Sequence, residues 1–352
     1  MPEESLLRNR IVRIGVVSWA GLGIVLVLVL AGVVFARVSI VTVPLVLALF
    51  PAAVLVPVSR RLEDRGLSRT GASIATFVLA LVVLGFTIAL VVNRVEAQAG
   101  DLADRLRTGY AQLRDSLLDG VLGLPAIDLE ALLSDMGEGL SREFGGGRAL
   151  EALATTVEGF AAVVLGLIAL FFYVRDGDRI AAWLRDLLPA SWRDDASAVG
   201  ERVWTTVGGY IRGQTLIALI DAVLIGIGLA ILQVPLALVL AVLVFIGGFV
   251  PIVGAFVAGA VAVLVALAAQ GVVVALIALA VIVGVQQLEG HLLAPLILGR
   301  TTALHPLAVL VVLTAGAALW GILGAILSVP VAASIARSVG YLRSRSETSP
   351  AV

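Results

Sequence analysis

The 352-residue chain has no cysteine and no lysine, so all 24 of its basic residues are arginine. Without cysteine there are no disulfides, no thiolate nucleophile and no thiolate-held metal. Without lysine, a Walker A phosphate site and a Schiff-base mechanism are both impossible within this chain. Charge is scarce too. Charged residues make up 14% of the sequence, against about 25% in an ordinary soluble domain. The formal net charge is −1, which leaves no basic excess to hold a nucleic-acid backbone. No nucleophile elbow, metal signature or nucleotide loop is present, and the sequence predicts no enzyme and no cofactor. Any energy source is therefore an ion gradient, the solute's own gradient or a separate subunit.

What the chain has in quantity is apolar surface, with 60% of residues hydrophobic. A helix needs roughly 20 apolar residues to cross a hydrocarbon layer about 30 Å thick. Such tracts lie at 14–35, 39–58, 72–92, 157–174 and 216–232, followed by apolar runs at 236–268, 272–285 and 307–334. This predicts an all-α polytopic membrane protein of about eight membrane segments. The first tract is too long for a cleaved signal and reads as a retained helix. The second holds Pro44, Pro51 and Pro57, so kinks are expected there.

Arginines in the short connections set the orientation. Arg8, Arg10 and Arg13 precede the first tract, and Arg60, Arg61, Arg65 and Arg69 follow the second. The N-terminus, 59–71, 175–205 and the C-terminal tail are expected in the cytoplasm, and 93–156 outside. That outer tract carries Val95, Leu102, Leu106, Leu113 and Leu117 at mostly helical spacing. It reads as an amphipathic helix continuing out of the third span, with a turn near Gly120–Pro125 and a shorter helix at 129–140. It serves either as a structural cap or contact between copies of the chain, or as a substrate-recognition element. The organisation expected is 1–92 (three helices), 93–156 (outer tract), 157–205 (fourth helix and connector), 206–338 (transport core) and 339–352 (tail).

The second half repeats itself. PIVGAFVAGAVA at 251–262 aligns with GILGAILSVPVA at 321–332, and PLALVL at 235–240 with PLAVLV at 306–311, at offsets of 70 and 71 residues. Each copy is an apolar arm, a Gly/Pro break and a second arm. The first arm, 236–250, is about 22 Å of helix, short of a full crossing. Two such arms suit a re-entrant hairpin. One crossing between the copies makes them inverted repeats, an architecture of secondary transporters.

From Thr206 to Ser334 only Arg212, Asp221, Glu289 and Arg300 are formally charged. An acid within a span costs about 2.5–3.5 kcal/mol on insertion scales and normally faces a cavity or a partner. Asp221 is either a protonatable or cation-coupled group, or the structural partner of an arginine such as Arg212. Gln286 and Glu289 share a helix face in QQLEGHLLAP, where Gly290 and Pro295 are expected to break the helix. Glu289, His291 and His305 lack metal-site spacing, so no metal site is expected. The cluster is either an embedded polar site for substrate or protons or the solvated end of a crossing. YVRDGDR at 173–179 reads as a helix stop at a boundary.

With these segments in view, the chain resembles the autoinducer-2 exporter family of bacterial permeases. The similar segments are YVRDGDR, YIRGQ (210–214), FVPIVGA (249–255), QQLEGHLLAPLILGR (286–300), LHP (304–306) and GILGAILSVPVAA (321–333). The resemblance implies a transport role, associated with export of small signalling molecules and in some members with sodium/proton antiport. It implies a translocation path including Arg212, Gln214, Pro251, Gly254, Gln286, Gln287, Gly321 and Gly324, with Pro295, Pro306 and Pro330 also in the family pattern. Asp221, Glu289 and His291 are the coupling candidates, for protons or sodium. His291 departs from the family, where an uncharged amide is usual. The reading is a permease exporting a small polar, autoinducer-2-like solute. Its rivals are a sodium(lithium)/proton antiporter and a non-transporting membrane scaffold. The partners expected are the bilayer, a small polar solute and further copies of the chain, with no nucleic acid.

Overall fold

The computed structural model describes residues 38–118, 157–250, 253–298 and 304–348, with Gly15, Ser18, Trp19, Leu22 and Gly23 besides. The tract at 14–35 and the helix expected at 129–140 fall largely or wholly outside these residues. The described secondary structure is helical, with no strand. In chain order it comprises α1 (Ser39–Asp64), α2 (Arg69–Leu118), α3 (Val157–Asp186), α4 (Arg193–Ile231), α5 (Ala237–Gly247), α6 (Val253–Gln270), α7 (Val272–Leu288) and α8 (Pro306–Thr348). Among the described residues, six helical segments are long and apolar enough to cross a membrane, and two shorter apolar helices correspond to the two arms of the 236–268 tract.

The chain divides into two units. In the smaller, Met1–Leu49 with Leu140–Leu170, the bare backbone of Gly166 admits Pro44, so that a β-carbon there would meet the Pro44 ring at 3.6 Å. The larger unit, Phe50–Gly139 with Phe171–Val352, holds the residues of interest.

Helix α1 runs on through Pro44, Pro51 and Pro57 without a break. A proline deletes one backbone bond, and in an apolar helix packed on others the loss is absorbed locally. Helix α2 is continuous for 50 residues, so the amphipathic stretch does extend the third span as one helix. In α3 the expected stop is instead a local break: Asp176 leaves helical geometry (φ −122°, ψ 18°), and the helix resumes to Asp186.

Helices α4 to α7 share one core, in which Ile225 and Leu229 of α4 meet Leu240 and Val244 of α5, Ala258, Ala262 and Ala266 of α6, and Ala278 and Ile282 of α7. The alanines of α6 recur every four residues and so form one face, and Gly259 brings α6 close to Ile282. Small residues let apolar helices approach closely where no hydrophobic effect drives them together in lipid. Between α4 and α5 the chain reverses through left-handed Gln233 (φ 55°) and Leu236 (φ 58°). The Gln270 side chain donates to the Gln233 carbonyl at 3.0 Å and fixes that reversal from α6.

The two Gly/Pro breaks have a common construction. A β-carbon on Gly254 would collide with the Gly247 carbonyl oxygen, so α5 and α6 meet there backbone on backbone. In α8 the break falls at Trp320 (φ −138°) and left-handed Gly321 (φ 60°, ψ −141°). A β-carbon on Gly324 would likewise collide with the Gly316 carbonyl oxygen. Eight residues of straight helix rise about 12 Å, so that contact requires the arms of α8 to fold back on each other. Pro330 is buried in the second arm.

Candidate functional site

Helix α4 presents one face to everything that matters here. Gln214, Ala218, Asp221 and Ile225 recur at helical spacing and are all buried. The Gln214 side-chain amide donates to the Gly248 carbonyl at 2.7 Å. Gly248 caps α5, and carbonyls in the last turn of a helix have no partner within it. The amide therefore satisfies an acceptor that the apolar surroundings could not. One turn further along, Ala218 abuts Gly248 at the same break.

Next on that face is Asp221, 4% exposed. Its Oδ1 has no hydrogen-bond partner, and its charged neighbour is the acid Glu289. Glu289 opens a π-helical turn, Glu289–Leu293, between α7 and the short helix Ala294–Ile297. The expected break at Gly290 and Pro295 is thus a widened turn rather than an end. The Ala294 N–H reaches back five residues to the Glu289 carbonyl. Pro295 has no N–H to offer the carbonyl next in that register, at Gly290. π-helical turns of this kind recur at functional sites.

The structure rejects the pairing of Asp221 with Arg212. The Arg212 guanidinium donates to the Ala53 carbonyl of α1 at 3.2 Å and folds over Gly208. Nine residues of helix, about 13 Å, separate it from Asp221. Gly213 beside it is packed against Ile297 and Leu298, just beyond the π-helical turn. Gln286 is half-buried, and Gln287 and His291 are exposed. His291 Nδ1 lies 3.0 Å from the Gln287 carbonyl, so the imidazole is engaged by its own helix rather than by the acids. His305 accepts from the Leu307 N–H and caps α8. No three acidic or histidine side chains converge on a metal-sized site among the described residues. Gly254, Gly321 and Gly324 sit at the two breaks; Pro251 and Arg300 fall outside the described residues.

One cluster reaches further than the boundary turn expected at 173–179. Asp178 accepts from Arg60 at 3.1 Å and pairs with Arg69 at 3.5 Å. Asp176, buried, is held by Arg175 at 2.6 Å and Arg179 at 3.3 Å. Arg69 also donates to the Arg175 carbonyl, and Arg175 lies over the rings of Phe171 and Phe172. The α1–α2 connection is thereby tied to the break in α3. The available signal was the complementarity of SRRLEDRGLSR (59–69) and RDGD (175–178), two segments separated by the whole of α2 and the outer tract.

The sequence model of the AI-2E family transporters matches residues 24–344. The chain belongs to this family. A relative named as a transport protein, MT0215 of Mycobacterium tuberculosis (strain CDC 1551 / Oshkosh), is 36% identical over 329 residues, covering 92% of this chain and 89% of its own. YrrI of Bacillus subtilis (strain 168), also named as a transport protein, is 28% identical over 319 residues, covering 87% and 88%. A sodium-lithium/proton antiporter of Halobacillus andaensis is 25% identical over 324 residues, covering 86% and 91%. Membership of the AI-2E family and the six apolar helices together describe a multi-pass membrane protein of a transporter family.

Proposed function

We propose that the protein is a secondary transporter that exports a small polar solute, autoinducer-2-like by family resemblance, across the bacterial inner membrane, with Asp221 and Glu289 coupling transport to protons. The observation that supports this reading is Asp221, an acid buried in an otherwise uncharged helical core with its Oδ1 unpartnered and a second acid, Glu289, as its charged neighbour. In a weakly polar interior two like charges in contact repel strongly, and one added positive charge relieves the repulsion. A site built this way changes its preferred geometry when it gains or loses that charge, which is what a coupled transporter requires.

Several features support the architecture proposed with it. The short arms α5 and α6 and the folded-back α8 suit two re-entrant hairpins, inverted relative to each other. Counted with the 14–35 tract and the six longer helices, the α5–α6 pair makes eight membrane segments. The transport core is 206–338, between the N-terminal helices and connector (1–205) and a cytoplasmic tail (339–352), and both termini face the cytoplasm. The path runs past Gln214, Gln286 and Gln287, with the breaks at Gly254 and Gly321–Gly324 presenting backbone groups to the solute. Copies of the chain associate through the outer tract.

The test is reconstitution into liposomes with an imposed pH gradient. Solute flux that follows the gradient, and loses that dependence in Asp221→Asn and in Glu289→Gln, supports the reading. Gradient-linked flux unchanged in both variants refutes the coupling role. A second reading, exchange of sodium or lithium for protons, is favoured by the antiporter-named relative. Dequenching of a pH dye in inverted vesicles on adding either cation, with no solute present, distinguishes it.

A further inference from the structure

Helix α4 has a second face, turned away from Asp221. Thr205, Gly208 and Arg212, then Leu216, Leu219 and Val223, follow at three- and four-residue steps and line one side of the helix. Asp221 lies about two and a half turns beyond Arg212 and points to the opposite side. Thr205 and Arg212 are exposed, and Leu216, Leu219 and Val223 are each about half exposed. Arg212 is the last charged residue on this side, so polarity gives way to aliphatic surface there. From Arg212 to Ile231, the end of α4, is about 28 Å of helix, close to the roughly 30 Å of a hydrocarbon layer. The polar reversal at Gln233, fixed by Gln270, marks the far boundary, and Arg212 marks the near one. A guanidinium carries five N–H donors. Among the described residues, that of Arg212 has the Ala53 carbonyl at 3.2 Å as its one hydrogen-bond partner and no carboxylate. It is seated over Gly208, where a β-carbon would lie 2.9 Å from Nη1.

The geometry points to a lipid site: Arg212 binds the phosphate of an anionic bilayer phospholipid beside α1, and the acyl chains lie along Leu216, Leu219 and Val223. An arginine at the edge of the hydrocarbon places its charge among the headgroups, and its planar fork matches two phosphate oxygens. A soluble anion would satisfy the guanidinium and leave the aliphatic strip uncovered, whereas one lipid covers both. The headgroup is anionic rather than zwitterionic because no acid stands level with the phosphate to receive an ammonium. The acids of α1 and α4 nearest in the chain, Glu63, Glu201 and Asp221, are about 13 Å or more along their helices. Basic pockets between membrane helices hold anionic headgroups in this way. The inference is independent of the transport reading. It takes Arg212 out of the solute path implied by the family resemblance and makes the lipid a second tie between α1 and α4, beside the Ala53 bond.

The experiment follows thermal unfolding of the purified, delipidated full chain in a neutral detergent as phosphatidylglycerol is titrated into the micelles. Three comparisons use phosphatidylcholine with the same chains, diacylglycerol without phosphate, and free glycerol phosphate without chains. A ligand of the folded state raises the unfolding midpoint. Phosphatidylglycerol is expected to raise it saturably, phosphatidylcholine less, and the other two not at all. Arg212→Gln is expected to weaken the apparent affinity about tenfold or more, and Arg212→Lys, which keeps the charge, to fall between. Arg185 already pairs with Asp186 at 2.9 Å, so Arg185→Gln is expected to respond as the native chain does. The melt without lipid shows whether each variant is folded. Where Arg212→Gln is not, Gly208→Ala replaces it, since its β-carbon displaces the guanidinium and is expected to weaken the response. No response from the native chain, or an equal one to diacylglycerol, overturns the inference. So does an equal response to free glycerol phosphate, which would assign Arg212 to a soluble anion. An undiminished response in folded Arg212→Gln, or the same loss in Arg185→Gln, also overturns it.

Discussion

Asp221 of α4 and Glu289 of the π-helical turn are neighbouring acids although α5, α6 and α7 separate them in the chain. Groups that act as one unit do not contribute independently. Asp221→Asn and Glu289→Gln are each expected to lower proton-linked flux by roughly tenfold or more, with the double variant hardly worse than either single one. Flux assays on all three in liposomes check this. Additive losses would mean that the two acids work separately.

The Gln214 amide supplies the hydrogen bond that the Gly248 carbonyl lacks. Gln214→Leu keeps the volume and removes the donor, leaving a buried acceptor unpaired at a cost of about 1–3 kcal/mol. The expected result is a lower midpoint of thermal unfolding in detergent. An unchanged midpoint would show that the carbonyl finds another donor.

Ala at Gly254 or Gly324 would place a β-carbon inside van der Waals contact with the facing carbonyl, forcing the two arms apart. Both variants are expected to lose transport and to unfold at lower temperature. At Gly284 of α7 an added β-carbon would meet nothing within 4 Å. Gly284→Ala is therefore expected to be neutral or to stabilise by up to about 1 kcal/mol through helix propensity. Circular-dichroism melts of the three proteins make the comparison.

The two aspartates of the α3 break are expected to differ. Asp178 is 69% exposed in its pairs with Arg60 and Arg69, so Asp178→Asn should cost no more than about 1 kcal/mol. Asp176 is 11% exposed and receives two guanidinium bonds, so Asp176→Asn should cost about 1.5–3 kcal/mol. Raising the salt concentration is expected to erase the Asp178 difference while sparing most of that at Asp176.

Much of the fold was legible in the sequence because apolar length is a strong signal: each tract from 39–58 to 307–334 reappears as helix, and the two Gly/Pro breaks mark where arms meet. Asp221 and Glu289 were legible as candidates because an acid in an apolar run needs a reason. Their pairing was not. Helical periodicity reports which side of one helix a residue occupies, and it carries nothing about which helix lies opposite. Arg212 was named as a partner for Asp221 although about 13 Å of helix separates the two, and nothing in the sequence pointed to Glu289 instead. The same blindness hid the ties from Arg60 and Arg69 to Asp178. At Gly290 and Pro295 local rules pointed to an ended helix, whereas the chain widened its register by one residue and carried on.

The joints at Gly247–Gly254 and Gly316–Gly324 close main chain against main chain. The crossing itself therefore asks for glycine and little else, and the residues flanking it are free to be exchanged for others while the scissor-like elbow persists. A scaffold fastened in this manner separates mechanical integrity from cargo preference: the lining can be re-lettered for a new passenger without redesigning the hinge.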